Sequence, residues 1–133
     1  MNVQPYLIFD GKCEEALDFY KQAVGAEPKT LLRFKDAPDQ SMVSPGSHDK
    51  IMHAHVQIGD TAVLMSDGHC LGKASFQGFA LTINATSETE ADKLFGALSE
   101  GGQVTMPLAK TFFAARFGML TDKFGVGWMV IVQ

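Results

Sequence analysis

The chain has 133 residues, 46% of them hydrophobic and 20% charged, and a net charge of −4. That length suits one domain (1–133) able to bury a core, and the acidic balance leaves no electrostatic footprint for nucleic acid. No apolar run approaches the ~20 residues needed to cross a bilayer, and the scattered lysines and arginines form no membrane-binding cluster.

The start, MNVQPYLIFD, lacks the basic and apolar regions of a signal peptide. Cys13 and Cys70 are too few for a disulfide framework, so both are expected as reduced packing thiols of a cytoplasmic protein. VQPYLIFD predicts a first strand. In CEEALDFYKQAVGAE the apolar positions 13, 16, 17, 20, 23 and 24 follow helical spacing. Asp10 is a candidate cap for that helix, and Gly25 suits its left-handed end.

TLLRF (30–34) predicts a second strand, followed by a long polar loop with two prolines over 35–49. IMHAHVQI (51–58) and TAVLMSD (61–67) predict two strands joined at hairpin spacing by Gly59-Asp60. After a loop over 68–78, FALTINA (79–85) predicts another strand. SETEADKLFGALSEGG (87–102) predicts a second amphipathic helix, with Ser87 and Glu90 in the S-x-x-E capping pattern. Three strands are expected near 103–106, 111–120 and 126–132.

The order is strand, helix, three strands, twice over. A shift of about 75 positions superimposes Glu15-Ala16 on Glu90-Ala91 and Phe19-Tyr20 on Leu94-Phe95. The expected fold is therefore α+β, built from two tandem βαβββ modules, 1–70 and 76–133. Their sheets are expected to form a curved sheet or half-barrel around a central cavity.

Four segments carry a family resemblance: YLIFDGKCEEALDFYKQAVGAE, HAHVQIGDTAVLMSD, GKASFQGFAL and FGMLTDKFGVGWMVIV. Through them the chain resembles the vicinal oxygen chelate superfamily, that of glyoxalase I, extradiol dioxygenases and bleomycin- and fosfomycin-resistance proteins. It is most similar to the PhnB-like branch. The resemblance implies the glyoxalase/bleomycin-resistance fold, commonly a homodimer, with a site inside each cavity. In the metalloenzymes, ligands come from the first, fourth, fifth and eighth strands. Those positions match Gln4 or Pro5, Met65 (or Ser66 with a slip), Phe79 and Met129. Three of the four are apolar, and thioether or phenyl groups do not hold zinc, magnesium, manganese or iron. No metal or other cofactor is therefore expected. PhnB-like proteins have carried a demethylubiquinone methyltransferase label, but no glycine-rich nucleotide loop for S-adenosylmethionine is present.

His53 and His55 stand on one face of their strand, with Cα atoms about 7 Å apart. They are candidates for ligand contact or general-base work, with Asp67 the nearest acidic partner. The bland alternative is two cavity or interface histidines hydrogen-bonded to neighbours, and a metal at a non-standard place is the sharpest one. Met65, Phe79 and Met129 are candidate apolar walls. Arg116 is a candidate for a ligand carboxylate or phosphate, or else a partner for an acid such as Asp122. Trp128 is expected in the core, and His48, His69 and Cys70 in loops.

The expected function is metal-independent binding of a small, partly apolar molecule, without nucleic acid or membrane. The alternative is a lyase, isomerase or transferase using His53 or His55 as base. A purely structural or partner-binding dimer is the third class.

Overall fold

A computed structural model describes residues 1–43, 45–70 and 72–133, apart from the side chain of Met42. Ser44, inside the predicted 35–49 loop, and Leu71, inside the predicted 68–78 loop, therefore lie outside the described residues. The chain divides into two compact units, Met1–Ala74 and Ser75–Gln133. Each has the order strand, helix, three strands, with eight strands and two α-helices in all among the described residues.

The first unit contains β1 (Tyr6–Ile8), α1 (Cys13–Val24), β2 (Glu27–Arg33), β3 (Ile51–Ile58) and β4 (Thr61–Ser66). Its sheet order is β1-β4-β3-β2. β1 runs parallel to β4, while β2–β3 and β3–β4 are antiparallel. Ile58 faces Thr61 across the two-residue Gly59-Asp60 turn, and Gly59 takes the positive φ of 57° that this short hairpin requires. Ala54 pairs with Met65, Val56 with Val63, and Leu7 with Met65. All five are buried. Together they form the apolar face that receives Ala16, Leu17 and Tyr20 of α1.

α1 ends as expected, with Gly25 left-handed and donating its N–H to the Tyr20 carbonyl. Its start differs from the expectation that Asp10 caps it. Asp10 is in a positive-φ turn, and Lys12 occupies the cap position without a side-chain cap bond. The capping acceptor comes from another strand: Asp67, one residue beyond β4, accepts from Cys13 N–H and Gly11 N–H, both at 2.8 Å. Its other oxygen accepts from Ile51 N–H at 2.8 Å.

The 35–49 segment has structure of its own. It holds two 3-10 turns, Phe34–Asp36 and Gln40–Met42. Gln40 donates to the Ala37 carbonyl, Asp39 accepts from Ser41, and Lys35 pairs with Asp49. Arg33 makes a two-pronged contact with Glu14 on α1.

The second unit contains β5 (Leu81–Asn84), α2 (Glu88–Ser99), β6 (Gln103–Ala109), β7 (Arg116–Thr121) and β8 (Gly127–Val132), with sheet order β5-β8-β7-β6. β5 is parallel to β8 and the remaining pairs are antiparallel. Ser87 accepts from Glu90 N–H, as the capping pattern implies. The Glu90 carboxylate reaches Thr86 N–H, one residue before the cap. Leu120, Trp128, Val130 and Val132 are buried beneath α2. Gly118 lies so close to α2 that a Cβ would stand 2.7 Å from the Phe95 ring.

Replacing Asp67 with alanine strands three N–H groups, those of Cys13 and Ile51 buried and that of Gly11 partly so. The expected cost is about 3–5 kcal/mol, the usual consequence of removing one partner from a buried charged network. Urea unfolding measures it; a loss of about 0.5 kcal/mol or less would contradict the anchoring role.

Candidate functional site

β-strand parity and cross-strand register together decide which candidates share a surface. In the first unit, Ala54 and Val56 point toward α1, so His53 and His55 point away from it. His55 pairs with Leu64, which in turn pairs with Tyr6. Leu32 of β2 pairs with His53. The face away from α1 therefore gathers Tyr6, Ile8, Leu32, His53, His55 and Leu64. Among the described residues this face of β1, β3 and β4 has no formally charged side chain, while at the far end of β2 Glu27 opposes Gln57 and pairs with Lys29 at 3.3 Å. Tyr6, Ile8 and Leu32 are exposed, and both histidines are half-buried.

Tyr6 is the residue that sequence reasoning missed. Its hydroxyl oxygen lies 3.0 Å from His53 Nδ1, and the two rings are 5.7 Å apart at a tilt of 43°. Sequence separation hides this pair, 47 positions apart; the available signal was the alternation of Tyr6 and Ile8 against buried Leu7 and Phe9.

Met65 does not share that surface. It is fully buried on the α1 side, opposite Ala54 and Leu7, and belongs to the core. Ser66, the slipped alternative, faces away from α1, but its hydroxyl is engaged: it donates to the Met52 carbonyl and accepts from Gly68 N–H. Asp67 is not the partner of the histidines, since both of its oxygens hold backbone N–H groups.

Arg116 lies on the α2 side of the second sheet rather than on its opposite face. It pairs with Glu88 at 2.8 Å and stands 3.7 Å from Asp92, so α2 supplies its counter-charges. Asp122, the partner considered for it, has another task. It accepts from Phe124 N–H, Val126 N–H and the Trp128 indole N–H, and so shapes the β7–β8 turn. The TDKFGVGW segment is thus an internally bonded turn with a buried Trp128.

Met129 does face away from α2. It pairs with Met119, and Met119 pairs with Met106, giving a row of three thioethers across β8, β7 and β6. Phe117 follows on the same face and meets the Phe113 ring at 5.2 Å. Phe79 lies outside β5; it is half-exposed and touches Phe76 edge-on.

The superfamily's metal can be tested against these positions. Pro5 presents a carbonyl that already accepts from Leu64 N–H, Met65 is buried, and Phe79 and Met129 supply no hard donor. Among the described residues no three His, Cys, Asp or Glu gather to hold an ion. The residues do not fit the group.

Cys13 is completely buried. Burial, then the nearby charges of Asp67 and Glu14, push its thiol far above the ordinary value. The Arg33 side-chain hydrogen bond holds the exposed Glu14 carboxyl below its usual range.

The family model described as 3-demethylubiquinone-9 3-methyltransferase matches residues 1–131. Protein YjdN of Escherichia coli K12 is 36% identical over 140 residues, covering 99% of this chain and 95% of that protein. The structure of protein PA1353 from Pseudomonas aeruginosa superimposes with a TM-score of 0.88 at 43% identity, covering 100% of this chain and 98% of that one. A Bacillus cereus structure, described as a putative 3-demethylubiquinone-9 3-methyltransferase, PhnB protein, gives a TM-score of 0.83 at 26% identity, covering 100% of both chains. The fosfomycin resistance protein FosX of Listeria monocytogenes shares the fold, with a TM-score of 0.67 at 12% identity over 100% of this chain and 93% of that one.

Three outcomes follow from this geometry. In the native protein Cys13 should resist a disulfide reagent that labels the partly exposed Cys70. The Cys13 pKa is raised on folding, so its contribution to stability is complete below the unfolded thiol value of about 8.5 and declines as pH rises past it. Cys13→Ala should flatten that alkaline decline in urea midpoints, and rapid native labelling of Cys13 would contradict its burial. Arg116→Gln should cost no more than about 1 kcal/mol, as partly exposed ion pairs do, and leave small-molecule affinity unchanged. A clear loss of affinity in ligand titrations would restore the anion-receiving role.

Proposed function

We infer the function from one premise: the chain belongs to the 3-demethylubiquinone-9 3-methyltransferase family, the PhnB-like branch of the glyoxalase/bleomycin-resistance superfamily. We propose that it is a metal-independent protein that binds a small, partly apolar molecule. The ligand rests on the face of the first module that presents His53 and His55, with Ile8, Leu32 and Leu64 as its apolar floor. The observation behind this reading is two imidazoles on an incompletely buried sheet face beside apolar side chains, with no formal charge on that face of β1, β3 or β4. In the second module, Met129, Met119 and Met106 offer an adaptable apolar surface of the same character. Of the sequence candidates, His53, His55, Phe79 and Met129 stay in this proposal. Met65, Asp67 and Arg116 leave it, because core packing, backbone anchoring and α2 already employ them.

Metal independence is supported by the donor set, in which no Cys, Asp, Glu or further His joins the two histidines among the described residues. We further propose that the two modules act as one domain in a cytoplasmic homodimer. The methyltransferase activity in the family's description is not part of the proposal, because the chain has no glycine-rich nucleotide loop. A second reading, catalysis with His53 as base, is favoured by one observation: the hydrogen bond that orients its ring.

Protein purified without chelator should contain no stoichiometric zinc, manganese, nickel or iron by elemental analysis; one metal per chain would end the metal-independent reading. In a thermal-shift screen of small acids, aldehydes, phosphonates and aromatic drugs, some compounds should raise the melting temperature of the wild type. They should do so less for His53→Ala. Equal shifts in both proteins would remove His53 from the site.

A further inference from the structure

We propose that Tyr6 and His53 form a proton-exchanging dyad, and that the group it receives is a weakly acidic hydroxyl on an otherwise uncharged ligand. This rests on the small-molecule reading above and names the chemistry of its polar point.

The geometry leaves one ring nitrogen for a ligand. Nδ1 of His53 is held at 3.0 Å by the Tyr6 hydroxyl, and among the described residues no hydrogen bond reaches Nε2. The ring is half-buried on the face away from α1, so Nε2 is the remaining site of hydrogen bonding. Tyr6 acts through His53 and is a positioning residue. When Nδ1 carries the proton and donates it to the tyrosine oxygen, Nε2 presents a lone pair. When the phenol donates to Nδ1, Nε2 presents an N–H. Both states keep the heavy atoms where they are, so one imidazole can take a proton and return it.

The surroundings select the partner. Ile8, Leu32 and Leu64 border the dyad, and no lysine, arginine or carboxylate shares this face of β1, β3 and β4 among the described residues. Beside the dyad itself a permanently charged ligand finds no counter-charge on this face; the Glu27–Lys29 ion pair of β2 stands at its far end, next to Gln57. An uncharged molecule with a flat apolar body and a weakly acidic hydroxyl finds both a floor and an acceptor. In the exchange the ligand O–H bond breaks and an Nε2–H bond forms. The electron pair stays on the ligand oxygen, and the imidazolium Nδ1–H donates to the Tyr6 oxygen. The reverse step restores both partners, and no oxidant, reductant or metal takes part.

The test uses 4-nitrophenol, whose phenolate absorbs in the visible, and nitrobenzene, which has the same ring without the hydroxyl. Full-length wild type, Tyr6→Phe and His53→Gln are titrated at one fixed near-neutral pH, after thermal melts establish that each is folded. Wild type should bind 4-nitrophenol about tenfold or more tighter than nitrobenzene, the worth of one good hydrogen bond. Its phenolate band should grow on binding. Tyr6→Phe should lose most of that growth while nitrobenzene affinity holds, and His53→Gln should abolish it and reduce 4-nitrophenol to the affinity of nitrobenzene. Equal affinities for the two probes in wild type, or an unchanged band in Tyr6→Phe, would overturn the dyad. If 4-nitrophenol fails to bind while compounds from the wider screen do bind, the dyad falls and the small-molecule reading stands. If nothing binds in either experiment, both fall.

Discussion

A single carboxylate sets the first module. Asp67 accepts N–H groups from Gly11, Cys13 and Ile51, which lie before α1, at its first residue and at the start of β3. Lys12 gives α1 no side-chain cap, so the helix begins where Asp67 holds it. The same carboxylate fixes where β3 starts against the end of β4. That register matters because a slip of one residue turns every side chain of a strand to the opposite face. With Ala54 against Met65 and Val56 against Val63, the apolar side chains meet α1 and the two histidines are left on the other side. The second module uses the same device in a different place: buried Asp122 gathers two backbone N–H groups and the Trp128 indole to close the β7–β8 turn.

This explains what becomes of the family's ligand positions. The TDKFGVGW segment, part of one of the four segments that carry the resemblance, is a folding element whose polar atoms bond to one another. Met65 is a core residue because β4 parity places it beneath α1. The polar chemistry of the first module sits on the opposite face, where Tyr6 orients His53 and where the neighbours are apolar and uncharged. The corresponding face of the second module is thioether and aromatic in character, through Met106, Met119, Met129 and Phe117. Among the described residues neither surface gathers three His, Cys, Asp or Glu side chains that could hold a hard cation.

Local periodicity made much of this legible. The spacing of Ala16, Leu17 and Tyr20 identified α1, the Ser87–Glu90 pair marked the start of α2, Gly25 marked the end of α1, and Gly59-Asp60 marked the hairpin. The alternation along 51–58 separated Ala54 and Val56 from His53 and His55. Relations between strands were not legible. The face of Met65 relative to His53 depends on which residue opposes Ala54, and nothing local to either strand states that. The same holds for Tyr6 against His53, and for Asp67 against Cys13, 54 positions away. Arg116 looked unpaired in its strand because its partners, Glu88 and Asp92, belong to a helix. Asp10 was adjacent to α1 and chemically suited to cap it, yet its left-handed turn leaves that task to Asp67. Edge strands were also misjudged in length, as with β6, where bulges on either side of Met106 let pairing continue past Pro107.

We propose that His53, held by Tyr6, offers its outer nitrogen to a ligand rather than to a metal. Long-range proton–nitrogen correlation spectra of the histidine rings test it most directly. A His53 Nδ1 signal shifted by its hydrogen bond with the Tyr6 hydroxyl is expected, one that changes in Tyr6→Phe, with His53 and His55 signals that stay in place when equimolar zinc is added. Concerted movement of both rings to saturation with zinc, together with a His53 signal indifferent to Tyr6→Phe, would contradict it.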